Sequence, residues 1–292
     1  MFTSEEKTNN INKLLQLVDN SELSSIKNIV TGLIKIINDP KSTARDLTDL
    51  IQIDPPLTAK VLRLANSAYY SPREKVSEIT RAVIWVGYDA IKELAINQKV
   101  CEIFTNGQIN EEYSREMLWR HSLAVALLGK FIYRREFGER GENIYAAGLL
   151  HEIGIIVNDQ LYPDKFQQLL HQSKIDKQNL IEIEYEYSGY DHSQSGQAIM
   201  EHWQIPEEIC FAIGNHHTPE DAPKQYTKIA YTLYIADYFC QRREIGFCDA
   251  PFESENVFNR CMKHLGLEHH ALELLSENVE IEMKKMEEQG FF

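Results

Sequence analysis

Apolar residues recur at helical spacing along almost the whole chain. Ile11, Leu14, Leu15 and Val18 follow Thr3-x-x-Glu6, a capping box. Ile26, Val30, Leu33, Ile34 and Ile37 keep the same i, i+3, i+4 beat until Asn38-Asp39-Pro40 stops it. Thr43-x-x-Asp46 caps a short segment carrying Leu47, Leu50 and Ile51. Asp54-Pro55-Pro56 then supplies an N-cap with proline in the first turn, ahead of Leu57, Val61, Leu62 and Leu64. The spacing predicts a helix from Asp54 to about Ser67 with Leu57, Val61 and Leu64 buried. Further helical segments begin near Ser77, Ala90, Glu111, Glu142, Gln178, Asp191, Pro206, Tyr226, Phe252 and Glu268. No sustained period-2 alternation is bounded by hairpin turns. The pattern predicts an all-α, multi-helical protein of many short helices with short connections.

The 292 residues suffice for one large domain or two modest ones. Charge divides them. Residues 1–110 carry as many basic as acidic side chains, so the whole net charge of −14 falls on the remainder. The polar turn formers Thr105-Asn106-Gly107-Gln108-Ile109-Asn110 lie at the same place. The expected organisation is an N-terminal helical part, 1–108, and a C-terminal helical part, 109–292. An acidic surface argues against nucleic acid as a partner. Residues 43–65 read as two short helices with Lys60 and Arg63, but the region is neutral overall and reads as scaffold, not as a DNA-reading element. No apolar run reaches a membrane span, and the acidic start MFTSEEKTNN lacks the features of a signal peptide. Five scattered cysteines without a CxxC read as reduced thiols, so a cytoplasmic location is expected.

Candidate chemistry lies in the histidines. His121 stands in Leu118-Trp119-Arg120-His121-Ser122-Leu123-Ala124, an apolar helix start. His151-Glu152 closes the small-residue run Ala146-Ala147-Gly148-Leu149-Leu150. His192 opens a helix after Asp191, and His216-His217 ends another before Thr218-Pro219. Asp237 sits among Ile235, Ala236, Tyr238 and Phe239, where a carboxylate is expected to be buried. Burial without a cation or donors is expensive. Five imidazoles and two carboxylates on neighbouring helices suit divalent first-row metal, with Fe, Mn, Zn or Ni favoured over Ca. A carboxylate that directly follows a histidine can bridge two ions, and such a pair can hold a phosphate and activate water. His151 and Asp237 should converge despite their separation in sequence. The bland alternative is that the cluster only packs. His171, His202, His264, His269 and His270 stand in polar stretches and are expected to lie outside the site.

The motifs resemble a known family. The segment from Asp54 to Tyr70, DPPLTAKVLRLANSAYY, is similar to the most recognisable stretch of the HDOD proteins, the HD-related output domains of bacterial signalling. Ile79 to Gly87, Leu118 to Ser122, Ala147 to Gly154 and Asp191 to Gly196 continue the resemblance, which covers roughly residues 22–245. It implies an all-helical fold related to the HD metal-dependent phosphohydrolases, in a family regarded as regulatory modules. The order of the candidate ligands is also similar to that of the HD-GYP phosphodiesterases. By that resemblance His121, His151, Glu152 and Asp237 would hold one ion, and His192, His216 and His217 the second, with Glu152 bridging.

Three departures bear on activity. Glu152 stands where the HD superfamily usually has Asp, and Ile155 where the HD-GYP enzymes carry the Lys of HDxGK. After His216-His217 the chain runs Thr218-Pro219-Glu220, without the GYP segment, and Met117 offers no carboxylate for a third ion. The resemblance therefore implies a regulatory output protein with a retained dinuclear site and little or no hydrolysis. The rival is an active metal-dependent phosphohydrolase or phosphodiesterase. The expected partners are signalling proteins with a basic face, with nucleotide or phosphate as candidate ligands.

Overall fold

The structure is a computed structural model; it describes residues 2–105, 114–176, 178–246 and 254–288. Among these the regular elements are helices. The N-terminal series is α1 (Ser4–Asp19), α2 (Leu23–Asn38), α3 (Ala44–Gln52), α4 (Pro55–Ala65), α5 (Ile79–Val86) and α6 (Tyr88–Thr105). The local signals act as written. Thr3 and Thr43 each close a capping box, with Glu6 and Asp46. The Asp54 side chain accepts from the amide of Leu57 with proline at the first position of α4. Leu57, Val61 and Leu64 are buried, so α4 is scaffold in its packing. Asp54 also receives Lys99 Nζ from α6 at 2.7 Å, which ties the cap to the next layer.

The later series is α7 (Arg115–Glu136), α8 (Glu142–Leu150), α9 (Ile153–Leu161), α10 (Pro163–Asp176), α11 (Leu180–Ser188), α12 (His192–His202), α13 (Glu207–Gly214), α14 (Thr227–Arg242), α15 (Glu255–Leu265) and α16 (His269–Glu288), with two 3-10 turns between α13 and α14. Two features differ from the sequence expectation. The α7 and α16 rods, of 22 and 20 residues, are longer than the short helices the pattern suggested. The stretch beginning at Glu142 is broken into α8, α9 and α10. Pro163 cannot donate an amide to the preceding turn and so restarts the chain. The other break, at His151-Glu152, comes where the chain turns into the cluster described below.

The core is continuous. α7 packs along α8, α14 and α16; α12 packs on α13 and α9; α2 packs on α6 and also reaches α8; α1 lies on α12. Helices from both sides of residue 110 thus touch one another. The expected boundary at 108/109, with the turn formers Asn106 to Asn110, lies outside the described residues. Lys92 on α6 meets Glu142 on α8, and Lys130 on α7 meets Glu93 on α6. Among the described residues no helix is long and apolar enough to cross a membrane.

Candidate metal centre

Two close helix contacts assemble the site. A Cβ at Gly148 of α8 would come within 2.5 Å of the Ala126 Cα of α7, so only glycine lets these backbones approach. His151, at the end of α8, thereby faces His121 of α7, with ring centroids 5.4 Å apart. A Cβ at Gly154 would lie 2.0 Å from the carbonyl oxygen of His192. The start of α9 is thus pressed on the start of α12, which places Glu152 beside His192. The middle of α14 adds Asp237, and the turn after α13 adds His216 and His217.

All seven residues singled out in the sequence meet here. His121 Nε2 lies 2.8 Å from Asp237 Oδ1, and His151 Nε2 lies 3.8 Å from the same oxygen. Glu152 stands in the middle: Oε1 is 3.7 Å from His151 Nε2, and Oε2 is 3.4 Å from His192 Nε2. His192 Nε2 is 2.8 Å from His217 Nε2. The His216 ring lies 5.1 Å from that of His151 and 5.5 Å from that of His192. Donor atoms of His121, His151 and Glu152 lie within 4.8 Å of one another, as do those of His192, His216 and His217, and each trio could hold a metal ion. His121, His151, Glu152, His192, His216 and Asp237 have no exposed surface; His217 is partly exposed.

The rings are oriented from behind. Nδ1 of His121 faces the carbonyl of Ile245 at 3.2 Å, that of His151 the carbonyl of Gly148 at 2.8 Å, and that of His216 the carbonyl of Ile213 at 2.6 Å. Nδ1 of His192 meets Glu184 Oε2 at 2.6 Å, and the same oxygen accepts the His192 amide at 2.9 Å. With Nδ1 donating to these oxygens, Nε2 is the ring nitrogen left facing the centre, and it would ligate a metal ion in its deprotonated form, the arrangement typical of metal-ligating histidine. Asn158 donates to the other oxygen of Glu184, and Gln241 donates to Asp237.

Glu184 was not singled out in the sequence. A signal for it exists: Leu180, Ile183 and Glu184 share the buried face of α11, so a carboxylate occupies an apolar position. The five histidines expected to lie outside the site do so. His202 pairs with Asp19, His264 packs on Tyr231, His269 on Phe258, and His270 faces Glu273; His171 lies on α10, whose buried residues are Phe166, Leu169 and Leu170.

The electrostatics follow from burying acids with imidazoles. Burial favours the neutral form of Glu152, but His151, His192 and His216 outweigh it and hold the carboxyl below its ordinary value. Asp237 is likewise buried, yet His121 and His151 hold it well below the usual carboxylate range. Burial disfavours charge on His192, but Glu184 and Glu152 raise it to about 10. Burial and the neighbouring His151 depress His216 to about 4. Burial and His216 also push His217 well down.

The donor set fits a divalent first-row metal by one test. Both oxygens of Glu152, Oδ2 of Asp237, and Nε2 of His151 and of His216 are buried without a hydrogen-bond partner. An uncompensated buried polar atom costs roughly 1–3 kcal/mol. Five of them turned toward one centre, with imidazole and carboxylate chemistry, match what such an ion takes. Ile155 is fully buried in α9, so no cationic side chain stands at that position.

Comparison with known proteins agrees with the helical architecture. An HDOD domain protein of unknown function from Geobacter sulfurreducens superposes with a TM-score of 0.72 at 28% identity, over 89% of this chain and 90% of that one. A protein named for signal transduction, from Marinobacter aquaeolei VT8, gives 0.75 at 20% identity, over 98% of this chain and 65% of that one. One named as a phosphohydrolase, from Shewanella amazonensis SB2B, gives 0.65 at 23% identity, over 95% of each chain. An uncharacterised protein of Treponema pallidum (strain Nichols) is 24% identical over 208 residues, 70% of this chain; the match spans only 39% of that longer relative. Residues 23–219 match the HDOD domain itself, and the chain belongs to the HDOD domain family.

Proposed function

We propose that the chain is a regulatory HDOD module holding two divalent first-row ions, and that it does not turn over phosphodiesters. The observation that carries the metal reading is Glu152. It is fully buried, neither oxygen has a hydrogen-bond partner, and one oxygen faces each of the two donor groups. His121, His151 and Asp237 would hold one ion, His192, His216 and His217 the other, with Glu152 between them. Such ions supply Lewis acidity and fixed positive charge when bound. The chain's own residues set the orientation of the imidazoles through Ile245, Gly148, Ile213 and Glu184, and six of the seven donors are closed off from solvent. A centre so enclosed is suited to joining α7, α8, α9, α12 and α14 more than to admitting a phosphodiester. The buried Ile155 supplies no proton and no phosphate contact. The helices before residue 108 would serve as the interaction layer, with the acidic remainder facing a basic signalling partner.

The rival, an active phosphohydrolase, is favoured by the completeness of the donor set and by the name of the Shewanella relative. One experiment decides. Protein purified without a histidine tag is assayed for metal per chain, then for phosphodiester and nucleotide turnover with Fe or Mn added. The expected result is bound metal, lost in Asp237→Ala, with no turnover. Metal-dependent turnover abolished by Glu152→Ala would establish the rival. Absence of metal, with Asp237→Ala melting as the parent does in added Fe, Mn or Zn, would leave only packing.

A further inference from the structure

Glu184 has a second neighbourhood. Behind it, away from the histidines, lies a cavity of about 300 Å³ between α1 and the corner formed by α9, α10 and α11. That volume is at the lower end of small-molecule pockets, roughly 300–1,000 Å³. Its walls are of three kinds. Tyr162, Tyr187 and Tyr190 supply aromatic surface. Lys13 of α1 and Lys165 of α10 supply positive charge; the Lys165 ammonium lies 4.0 Å from the centroid of the Tyr187 ring. Glu184 and Asn158 supply the polar end, where Asn158 Nδ2 donates to Glu184 Oε1 at 3.1 Å.

The lid belongs to a part of the chain outside the family match, which begins at residue 23. It is nonetheless anchored. Asn10 donates to the Ser188 carbonyl at 2.9 Å, Lys7 meets the Tyr185 hydroxyl, and Asp19 meets His202 at 2.9 Å. A Cβ at Gly189 would collide with Phe2 and Lys7, so the corner is shaped to receive α1. The pocket is therefore formed by docked elements and not by a loose tail.

We propose that this cavity binds a planar aromatic anion of purine mononucleotide type, its ring against the tyrosines, a ring-edge N–H on Glu184, and its acid group within reach of Lys13 and Lys165. Aromatic faces accept a flat ring without regard to substituents. The two ammonium groups select an anion. Glu184 is an acceptor only, so the ring edge must bring a donor, which a purine does and a simple aryl carboxylate does not. One oxygen of Glu184 is already committed to His192, and the other is shared with Asn158. A ligand donor on that second oxygen draws electron density from the carboxylate that orients His192. Partners of this kind tune metal affinity from behind the ligand. Occupancy of the cavity should therefore be felt at the centre. This link rests on the metal reading; the binding itself does not.

The test is calorimetric titration of the full chain, metal-free and Zn2+-loaded, with AMP, GMP, benzoate and inorganic phosphate. Saturable binding of a mononucleotide is expected, weakened about tenfold or more by Lys165→Glu and by Lys13→Glu, each of which removes a charge-assisted contact. Tyr187→Ala should weaken it with an unchanged melting temperature. No heat from either nucleotide at millimolar ligand, binding indifferent to both lysine changes, or phosphate binding as tightly as the nucleotides would overturn the pocket. Benzoate binding without nucleotide binding would overturn the nucleotide assignment. The link is read separately, by chelator competition for Zn2+: nucleotide should shift the apparent metal affinity at least severalfold. Identical metal affinity with and without bound nucleotide overturns the link. A chain that holds no metal still gives the metal-free titration, so failure of the centre and failure of the pocket are distinguishable.

Discussion

At the scale of single residues, the centre depends on groups that never face it. Glu184 holds His192 through both the ring and the amide. Glu184→Gln keeps the shape but replaces a full negative charge with a neutral amide. Metal affinity should fall roughly 10–100-fold with helicity unchanged, as read by chelator competition beside circular dichroism. The histidines also predict a pH dependence. In the metal-free chain His216 is held at about 4, below its ordinary 6.5, by burial and His151. The unfolded chain therefore takes up a proton between those values that the folded chain refuses, so stability falls as pH drops from about 6.5 to 4. The slope from this group is about 1.4 kcal/mol per unit. His192 has the opposite sign. Raised to about 10, it stabilises the fold at low pH and loses that contribution as pH rises toward 10, so it is level across the acid window. Urea midpoints of the chelated protein at pH 6.5, 5.5 and 4.5 should decline in order. A flat series would show that His216 is not held neutral.

At the scale of elements, the contact between α9 and α12 carries the geometry. Gly154 meets the His192 carbonyl where a methyl group would sit 2.0 Å away, and the Ser195 hydroxyl at 2.6 Å. Gly154→Ala must push the two helix starts apart. Overpacking of this kind costs roughly 1–3 kcal/mol. It also moves His192 away from Glu152, so metal content should fall along with the melting temperature. Unchanged metal content would mean that the approach of α9 to α12 does not set the centre. Much at this scale was legible in the sequence. The capping boxes at Thr3 and Thr43 and the Asp-Pro start of α4 each act through neighbours three residues away, and such local chemistry survives in any context. The division of the stretch after Glu142 was not legible, because Ile144 to Val157 is apolar without interruption apart from the turn at His151-Glu152, and only packing on α7 and α12 makes the chain turn there.

At the scale of the whole molecule, the centre collects side chains from α7, α14 and the ends of α8, α9, α12 and α13, so bound metal should act as a cross-link of the fold. Stripping with a chelator should lower the melting temperature, re-addition should restore it, and Asp237→Ala should be insensitive to both. Metal bound only to the native state stabilises by RT ln(1 + [L]/Kd), about 2.7 kcal/mol at a hundredfold excess over Kd. A melting temperature unaffected by chelator in the parent chain would refute the cross-link. The amino-acid sequence by itself determined the helical class, the caps, the burial of α4 and the identity of the seven clustered residues. These follow from spacing, and from the cost of placing His and Asp in apolar runs, where a polar side chain must find a partner. Tertiary structure alone decided which residue stands behind each imidazole, and that α1 closes a cavity over the far side of Glu184. Those relations join positions up to 183 residues apart, as between Asp19 and His202. Periodicity shows which face of a helix is buried. It carries no information about which other helix will cover that face, because any apolar surface of the right shape gives the same transfer free energy.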